Sequence, residues 1–229
     1  MKKICFKNLL KDAWVIYKKN WLNLTLMLII LGIVSTIFNP KNIDNSTLAL
    51  IGYFIEAYLS IGYIQYLLKL ARGEDAKFKD LFYGVQSFGH FVKIILVSIL
   101  ASLAIGFGLI LFIIPGVIIA LAFFAARYLI IEDKNLGIIE ALETSWKMTK
   151  GYRWKIFLVI FLLAILNALG ILALFLGLFI TIPLSSLVAV KLYLQLKDFY
   201  REKGNSAESD NKETEELEKT ETKKEKEEA

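Results

Sequence analysis

Cysteine and histidine are almost absent from this chain of 229 residues, which contains one of each, Cys5 and His90. One cysteine cannot form an internal disulfide or supply a cysteine-rich metal cluster. One histidine argues against a histidine-based metal site and against a Ser/His catalytic triad. Gly-rich phosphate loops, paired catalytic carboxylates and metal-ligand spacings are also missing from the sequence. We therefore expect no enzyme, no metal and no cofactor.

Charge is absent from two long stretches, residues 94–126 and 156–190. A bilayer core is crossed by about 20 apolar residues in a helix, so each stretch is too long for one span and predicts two. Pro115 and Gly116 interrupt the first stretch, because proline lacks a backbone donor and glycine permits a turn. Gly170 and Gly177 mark the turn in the second.

Hydrophobic residues make up 56% of the chain and are gathered in blocks, which is typical of a helical membrane protein rather than a membrane barrel. We predict an all-α, polytopic membrane domain over residues 1–203, with six transmembrane helices in three hairpins and cytoplasmic interfacial amphipathic helices. The predicted spans are 21–38, 47–68, 93–112, 116–131, 155–172 and 176–194.

The loops differ sharply in basic residues, which sets the predicted orientation. Of the 22 Lys and Arg residues up to position 203, 21 fall in four segments: residues 1–20, 69–93, 127–155 and 191–203. The exception is Lys41, between the first and second spans. Basic loops stay in the cytoplasm, and tryptophans anchor at the interfaces. Trp14, Trp21, Trp146 and Trp154 all fall at the basic ends of spans. We expect a multi-pass protein of the cell membrane with both termini cytoplasmic.

Two segments have the spacing of amphipathic helices. Before the first span, apolar residues including Phe6, Leu9 and Tyr17 share one helical face, opposite lysines. Such a helix suits the headgroup region, although it could also be a plain extension of the first span. Between the fourth and fifth spans, an apolar stripe faces away from Glu140, Glu143 and Lys147, which predicts another amphipathic helix at the cytoplasmic interface. The stripe consists of Ile138, Ile139, Leu142 and Trp146.

The end of the chain, residues 204–229, has a charge balance of −5, against about +10 for residues 1–203. It has no aromatic residue and dense Glu and Lys, so we predict a disordered, charged cytosolic tail, either simply solvated or a binding tail. The basic groups flank apolar runs. The expected partners are therefore anionic lipid headgroups at the cytoplasmic face, with a protein partner or a second copy as candidates, and not nucleic acid.

Several short motifs together resemble those of one known group. They are Leu70-Ala71-Arg72-Gly73-Glu74 with Leu81-Phe82, Ile114-Pro115-Gly116, Glu140-Ala141, Ser145, Gly151 and Trp154. The chain thus resembles uncharacterised six-span prokaryotic membrane proteins related to the membrane domain of glycerophosphoryl diester phosphodiesterases. The resemblance covers most of residues 1–200. It implies an accessory or transport-like membrane domain and no hydrolase.

Glu56 is the sharpest candidate for a functional residue, because it falls inside the second predicted span. A charge there costs about 2.5–3.5 kcal/mol on insertion scales, so we predict a neutral, protonated carboxyl. Tyr53, Ser60 and Tyr63 share its helical face and could bond to it. These four residues form a candidate ligand or proton site. The alternative is a buried carboxyl with a structural role only.

Two other groups of polar residues have simpler interpretations. Ser98, Ser102 and Gly106 are spaced four apart in the third span, which predicts close helix packing. Arg127, at the end of the fourth span, is predicted to extend to the headgroups.

Two functions fit these observations. The first is a non-enzymatic membrane scaffold or accessory protein that contacts lipids or a partner. The second is a transporter or lipid-handling protein with a site near Glu56. The scarcity of polar groups inside the spans favours the first, because carriers of polar solutes usually hold several.

Overall fold

The computed structural model describes residues 4–39, 46–82, 84, 85, 87–172 and 177–227, with side chains up to residue 205 except at positions 46 and 49. Within these ranges the protein is helical and has no strand. The eight α-helices are α1 (Phe6–Ile37), α2 (Ser46–Arg72), α3 (Phe88–Leu111), α4 (Ile113–Ala122), α5 (Ala126–Glu132), α6 (Ile138–Thr149), α7 (Arg153–Leu172) and α8 (Leu178–Glu227).

Five of the described segments are long and apolar enough to cross a bilayer, which fits a membrane-embedded, multi-pass protein. They are Phe6–Ile37, Phe88–Leu111, Ile113–Glu132, Arg153–Leu172 and Leu178–Asn205. The helix α2 is not among the five, although its 27 residues would extend about 40 Å at 1.5 Å per residue. The six spans and their arrangement in three hairpins therefore stay predictions.

The helix α1 is bent at Asn20, whose φ of −124° and ψ of 15° are not helical. This bend lies one residue before the predicted first span. The preceding segment buries Leu9, Ala13 and Tyr17, while the lysines at positions 7, 11 and 18 are exposed. The helix packs extensively against α8, so its apolar face is covered by protein. Its position in the headgroup region stays a prediction.

The turn between α3 and α4 lies earlier than predicted. A single extended residue, Phe112, joins the two helices, and Pro115 falls inside the first turn of α4. Proline is tolerated there because the first N–H groups of a helix have no partner within the helix. Gly108 and Gly116 let the two helices approach closely, since a Cβ on Gly108 would lie 3.0 Å from the Gly116 Cα.

The predicted fourth span, 116–131, is not one continuous helix. It is interrupted between Ala122 and Ala126, where α4 ends and α5 begins. A break inside an apolar segment frees backbone N–H and C=O groups, which must find other partners where water is excluded.

The end of α2 is fixed by Gly73, which has a φ of 78°. The N–H groups of Gly73 and Glu74 donate to the carbonyls of Leu70 and Lys69, at 3.1 and 3.0 Å, which is a Schellman cap. A short 3-10 turn, Phe78–Leu81, follows and carries Asp80. Burial alone would raise the pKa of Asp80. The Lys77 N–H bond and the Lys69 ammonium, 3.1 Å away, outweigh it and lower that pKa.

The chain then folds back along α2 at two glycines. A Cβ on Gly62 would lie 1.9 Å from the Leu81 carbonyl oxygen, and one on Gly84 would lie 2.3 Å from the Gly62 Cα. The Tyr58 hydroxyl, one turn earlier on α2, donates to the Phe82 carbonyl over 2.5 Å. The segment after α2 therefore contacts the helix backbone directly.

The predicted apolar stripe of α6 is only partly covered by protein. Ile139 is 77% exposed and Trp146 is 39% exposed. The buried residues are instead Ala141, Ser145, Met148 and Thr149. Smaller side chains allow α6 to approach the α4–α5 break, and in a membrane protein large apolar residues gain nothing by leaving lipid for protein.

The backbone of α8 continues as a helix to Glu227, through the predicted tail. The side chains beyond residue 205 and the last two residues lie outside the described set. The disorder predicted for residues 204–229 therefore stays a prediction.

Candidate functional site

A guanidinium group lies among the apolar helices. Nη2 of Arg127, on α5, donates a hydrogen bond to Ser60 Oγ of α2 over 2.9 Å. Ser60 Oγ in turn donates to the Ala57 carbonyl over 2.8 Å. Arg127 is exposed, and α5 packs against α2, which presents this hydroxyl within its reach. Its extension to the headgroups stays a prediction. Among the described residues, no acidic side chain pairs with Arg127.

Arg127 lines two grooves on either side of this contact. The first, the α2–α3 groove, has a volume of about 530 Å³ and apolar walls, with Tyr53, Ser98 and Ser102 as its other polar residues. The second, the central groove, has a volume of about 580 Å³ and contains more polar groups. Those groups are Ser60, Tyr63, Tyr128, Asn167, Ser185 and Ser186.

The four predicted site residues are divided between these grooves. Tyr53 lies in the α2–α3 groove and is 52% exposed, whereas Ser60 and Tyr63 lie in the central groove. Glu56 is half-buried, lines neither groove, and makes no hydrogen bond or ion pair with any described residue. The hydroxyl groups that were predicted to share its face do not bond to the carboxyl. Whether these residues form a ligand or proton site stays a prediction.

The polar groups of the central groove differ in their partners: Ser60 and Ser186 donate to carbonyls of their own helices. Ser185 Oγ donates to Asn167 Oδ1 over 3.3 Å and so joins α8 to α7. The Tyr63 hydroxyl is buried next to Ser186, without a hydrogen bond of normal geometry to any described residue. The Asn167 bond fits the packing role that polar residues often have between membrane helices.

The stripe of small residues on α3 does not pack against another described helix. A Cβ on Gly106 would have nothing within 4 Å, and Ser102 is exposed. Both serines donate to carbonyls of their own helix, Ser98 to Ile94 and Ser102 to Ser98, at 2.8 Å each. This part of α3 therefore forms one wall of the open α2–α3 groove instead of the predicted close helix contact.

A second site lies where the ends of α2 and α5 meet the middle of α8. Glu132 accepts hydrogen bonds from the Tyr193 hydroxyl and the Lys197 ammonium and pairs with the Arg72 guanidinium. We call these four residues the Glu132 cluster. The Glu132 side chain is only 13% exposed, so its charge is neutralised mainly by these partners. Lys191 donates to the Ala71 carbonyl over 2.6 Å and so caps α2.

An open cavity of about 690 Å³ lies beside the Glu132 cluster. Its walls come from the start of α1, the end of α2, the end of α5 and the middle of α8. The charged residues that line it are four acids, Asp12, Glu74, Glu132 and Asp198, and four bases, Arg72, Lys191, Lys197 and Arg201. The cavity is therefore strongly polar but balanced in charge.

The break between α4 and α5 is closed by one hydroxyl group. Ser145 Oγ accepts a hydrogen bond from the Ala125 N–H at 3.1 Å and donates to the Ala122 carbonyl at 2.7 Å. Thr149 Oγ1 lies 3.3 Å from the same carbonyl. Ser145 thereby connects α6 to the backbone between α4 and α5. This contact explains why a serine occupies position 145, one of the motif positions given above.

Replacing Ser145 by alanine should lower the free energy of unfolding by about 1–3 kcal/mol, because the buried Ala125 N–H loses its acceptor. Reversible unfolding in mixed micelles would measure the loss. Ser102→Ala is the matched control: it removes an exposed hydroxyl that bonds within its own helix, and should cost less than about 0.5 kcal/mol. Equal effects of the two substitutions would contradict this role of Ser145.

Sequence reasoning missed both polar centres. Arg72 is part of a quoted motif, but its partner Glu132 is 60 positions further along the chain, and Arg127 is 67 positions from Ser60. The one available signal was Glu132 itself, an acid at the end of an apolar run. Among the described residues, no group of three or more His, Cys, Asp or Glu could hold a metal ion.

Comparison with known proteins gives one family. Residues 1–122 and 107–200 match the model of DUF975, described as a protein of unknown function. Neither the curated proteins nor the solved structures contain a match. The comparison shows no link to the phosphodiesterase membrane domain that the motifs resemble. The two matched segments together cover most of the chain, and the protein therefore belongs to the DUF975 family.

Proposed function

We propose that this protein is a non-enzymatic accessory or scaffold protein of the cell membrane that contacts lipids or a protein partner. In this proposal α2 also crosses the membrane, as the second of six spans in chain order. Both chain ends lie in the cytoplasm. The packing of α1 against α2, α3 against α4 and α7 against α8 supports the three hairpins. The motif resemblance to an accessory membrane domain supports the same role.

The Glu132 cluster is the observation that carries the proposal. Its residues come from α2, α5 and α8, which belong to three different proposed hairpins. A carrier usually works by rocking one repeat against another about a central site. Such a movement would separate a carboxylate from two cations that share it. A fixed, charged surface suits a protein that holds partners or lipids better than one that alternates between two states.

The experiment that tests this function is native mass spectrometry of the protein gently extracted from its own membrane. A second polypeptide at fixed stoichiometry is the expected result and would name the partner. The competing function is transport or lipid handling at Glu56. A small molecule retained without any protein partner, and lost in Glu56→Gln, would favour that function instead.

The native cysteine offers a direct test of orientation, because Cys5 is exposed and is the single thiol of the chain. A membrane-impermeant maleimide should label it only after the cells are permeabilised. The control combines Cys5→Ser with Phe112→Cys, which moves the thiol to the 75% exposed turn between α3 and α4. That variant should be labelled in intact cells. Labelling of Cys5 in intact cells would contradict a cytoplasmic N-terminus.

A further inference from the structure

The position of Arg127 poses a problem of charge. Its guanidinium lies at an apolar groove, it bonds to one serine, and no described acid neutralises it. A cation without a counter-ion is costly among membrane helices, so such residues normally pair or contact a charged ligand. Four of its five N–H donors remain available for an anion, in the planar arrangement that suits carboxylate or phosphate oxygens.

The α2–α3 groove has the shape that an amphiphile needs. His90 Nε2 lies 2.7 Å from the Ile130 carbonyl, so the next turn of α3, at Ile94, runs beside α5 near Arg127. From Ile94 the α3 wall continues to Leu103, about 13 Å along the helix at 1.5 Å per residue. The cation therefore lies at one end, and the rest is lined by apolar side chains, two small serines and Tyr53. A volume of about 530 Å³ is typical of a ligand site.

We propose that the α2–α3 groove binds an anionic membrane lipid, with its headgroup on Arg127 and an acyl chain along Ser98 and Ser102. The serines make room for the chain because their hydroxyl groups are satisfied within α3. The hydrogen bond that Arg127 donates to Ser60 Oγ holds the guanidinium at the groove and leaves its other donors free. This lipid site does not require the scaffold function, since a bound lipid could serve either role of the protein.

The test is lipid titration of the purified protein in micelles, with bound lipid counted by native mass spectrometry. The probes are dioleoyl phosphatidylglycerol, which is anionic, and dioleoyl phosphatidylcholine, which has the same chains without net charge. We expect one phosphatidylglycerol per chain with at least tenfold preference over phosphatidylcholine. Arg127→Gln should remove this preference, and Arg127→Lys should keep part of it, since it retains the charge but not the planar donors.

One further variant tests the acyl-chain part of the groove separately from the headgroup, and another serves as a control. Ser102→Leu fills the groove at an exposed position of α3 and leaves Arg127 intact, so it should weaken binding of phosphatidylglycerol even if Arg127→Gln fails to fold. Arg201→Gln is the control, because it removes an arginine from the polar cavity beside the Glu132 cluster. It should leave lipid binding unchanged.

Three results would overturn the proposal. Equal binding of the two lipids would show that net charge is not recognised. Unchanged binding in both Arg127→Gln and Ser102→Leu would place the lipid elsewhere. A dimer that is lost in both Arg127→Gln and Glu56→Gln would show instead that Arg127 pairs with Glu56 of a second copy. The two lipid results do not bear on whether a protein partner is present, so the scaffold function is tested separately.

Discussion

Replacing Glu132 by alanine should destabilise the folded protein by about 3–5 kcal/mol, because breaking a buried ion pair leaves uncompensated charge. Arg72 and Lys197 are only 33% and 23% exposed, so neither is fully neutralised by solvent once the carboxylate is gone. The Tyr193 hydroxyl would lose its acceptor in the same substitution. For a chain of this length, the melting temperature should fall by roughly 6–20 °C, which a thermal unfolding scan in micelles would measure.

The control for this prediction is Glu74→Gln, which acts on the same arginine. Glu74 Oε1 lies 3.9 Å from Arg72 Nη1, and its side chain is half exposed. An exposed pair of this kind contributes about 0–1 kcal/mol, so the melting temperature should barely change. If Glu132→Ala were no more harmful than Glu74→Gln, the cluster would not hold α2, α5 and α8 together.

Gly62→Ala should destabilise the protein by about 3 kcal/mol, the upper end of the range for overpacking. The added Cβ would lie 1.9 Å from the Leu81 carbonyl oxygen and 2.7 Å from its carbon. Those are backbone atoms, so no side chain can rotate away, and the segment after α2 must move. We expect the Tyr58–Phe82 hydrogen bond to break as well. Unfolding in micelles would measure the loss of stability. Increased protease cleavage between residues 73 and 87 would detect the movement of this segment.

The matched control is Gly32→Ala in α1. A Cβ there would have nothing within 4 Å, and the position is helical. Alanine is favoured over glycine in a helix by about 1 kcal/mol, so this variant should be as stable as the original or more stable. A Gly62→Ala protein with the same stability as Gly32→Ala would show that the close approach of Leu81 to α2 is not required.

The helical class and most helix positions could be predicted because they follow from local signals. The uncharged stretches predicted α3, α4 and α7, and Asn20-Trp21 marked the bend of α1 within one residue. The turn at Phe112 was missed because Pro115 was assigned to the turn itself, whereas proline is equally compatible with the first turn of the following helix. A turn at Pro115 and a turn at Phe112 both agree with the local sequence. Only the packing of Gly108 against Gly116 distinguishes the two.

The polar centres could not be predicted, for a different reason. The break after Ala122 has no proline or glycine, and its partner Ser145 is 23 positions away. The apolar stripe of α6 could be predicted from its spacing, but not that small residues such as Ala141 and Ser145 form the face that packs on protein. Contacts such as Arg127 with Ser60 depend on which helices become neighbours, and one sequence does not contain that information.

The contact between α1 and α8 joins the first and last of the described helices. During synthesis, Leu9, Ala13 and Tyr17 are made long before Lys191 and Leu194, the residues of α8 that lie beside the start of α1. At about 5–20 residues per second, the intervening chain takes on the order of ten to thirty seconds to emerge. Throughout that time the part of the N-terminal helix that α8 covers is exposed next to the ribosome and the insertion machinery. The nascent chain must therefore shelter this apolar surface in lipid or on a chaperone until α8 arrives and packs against it.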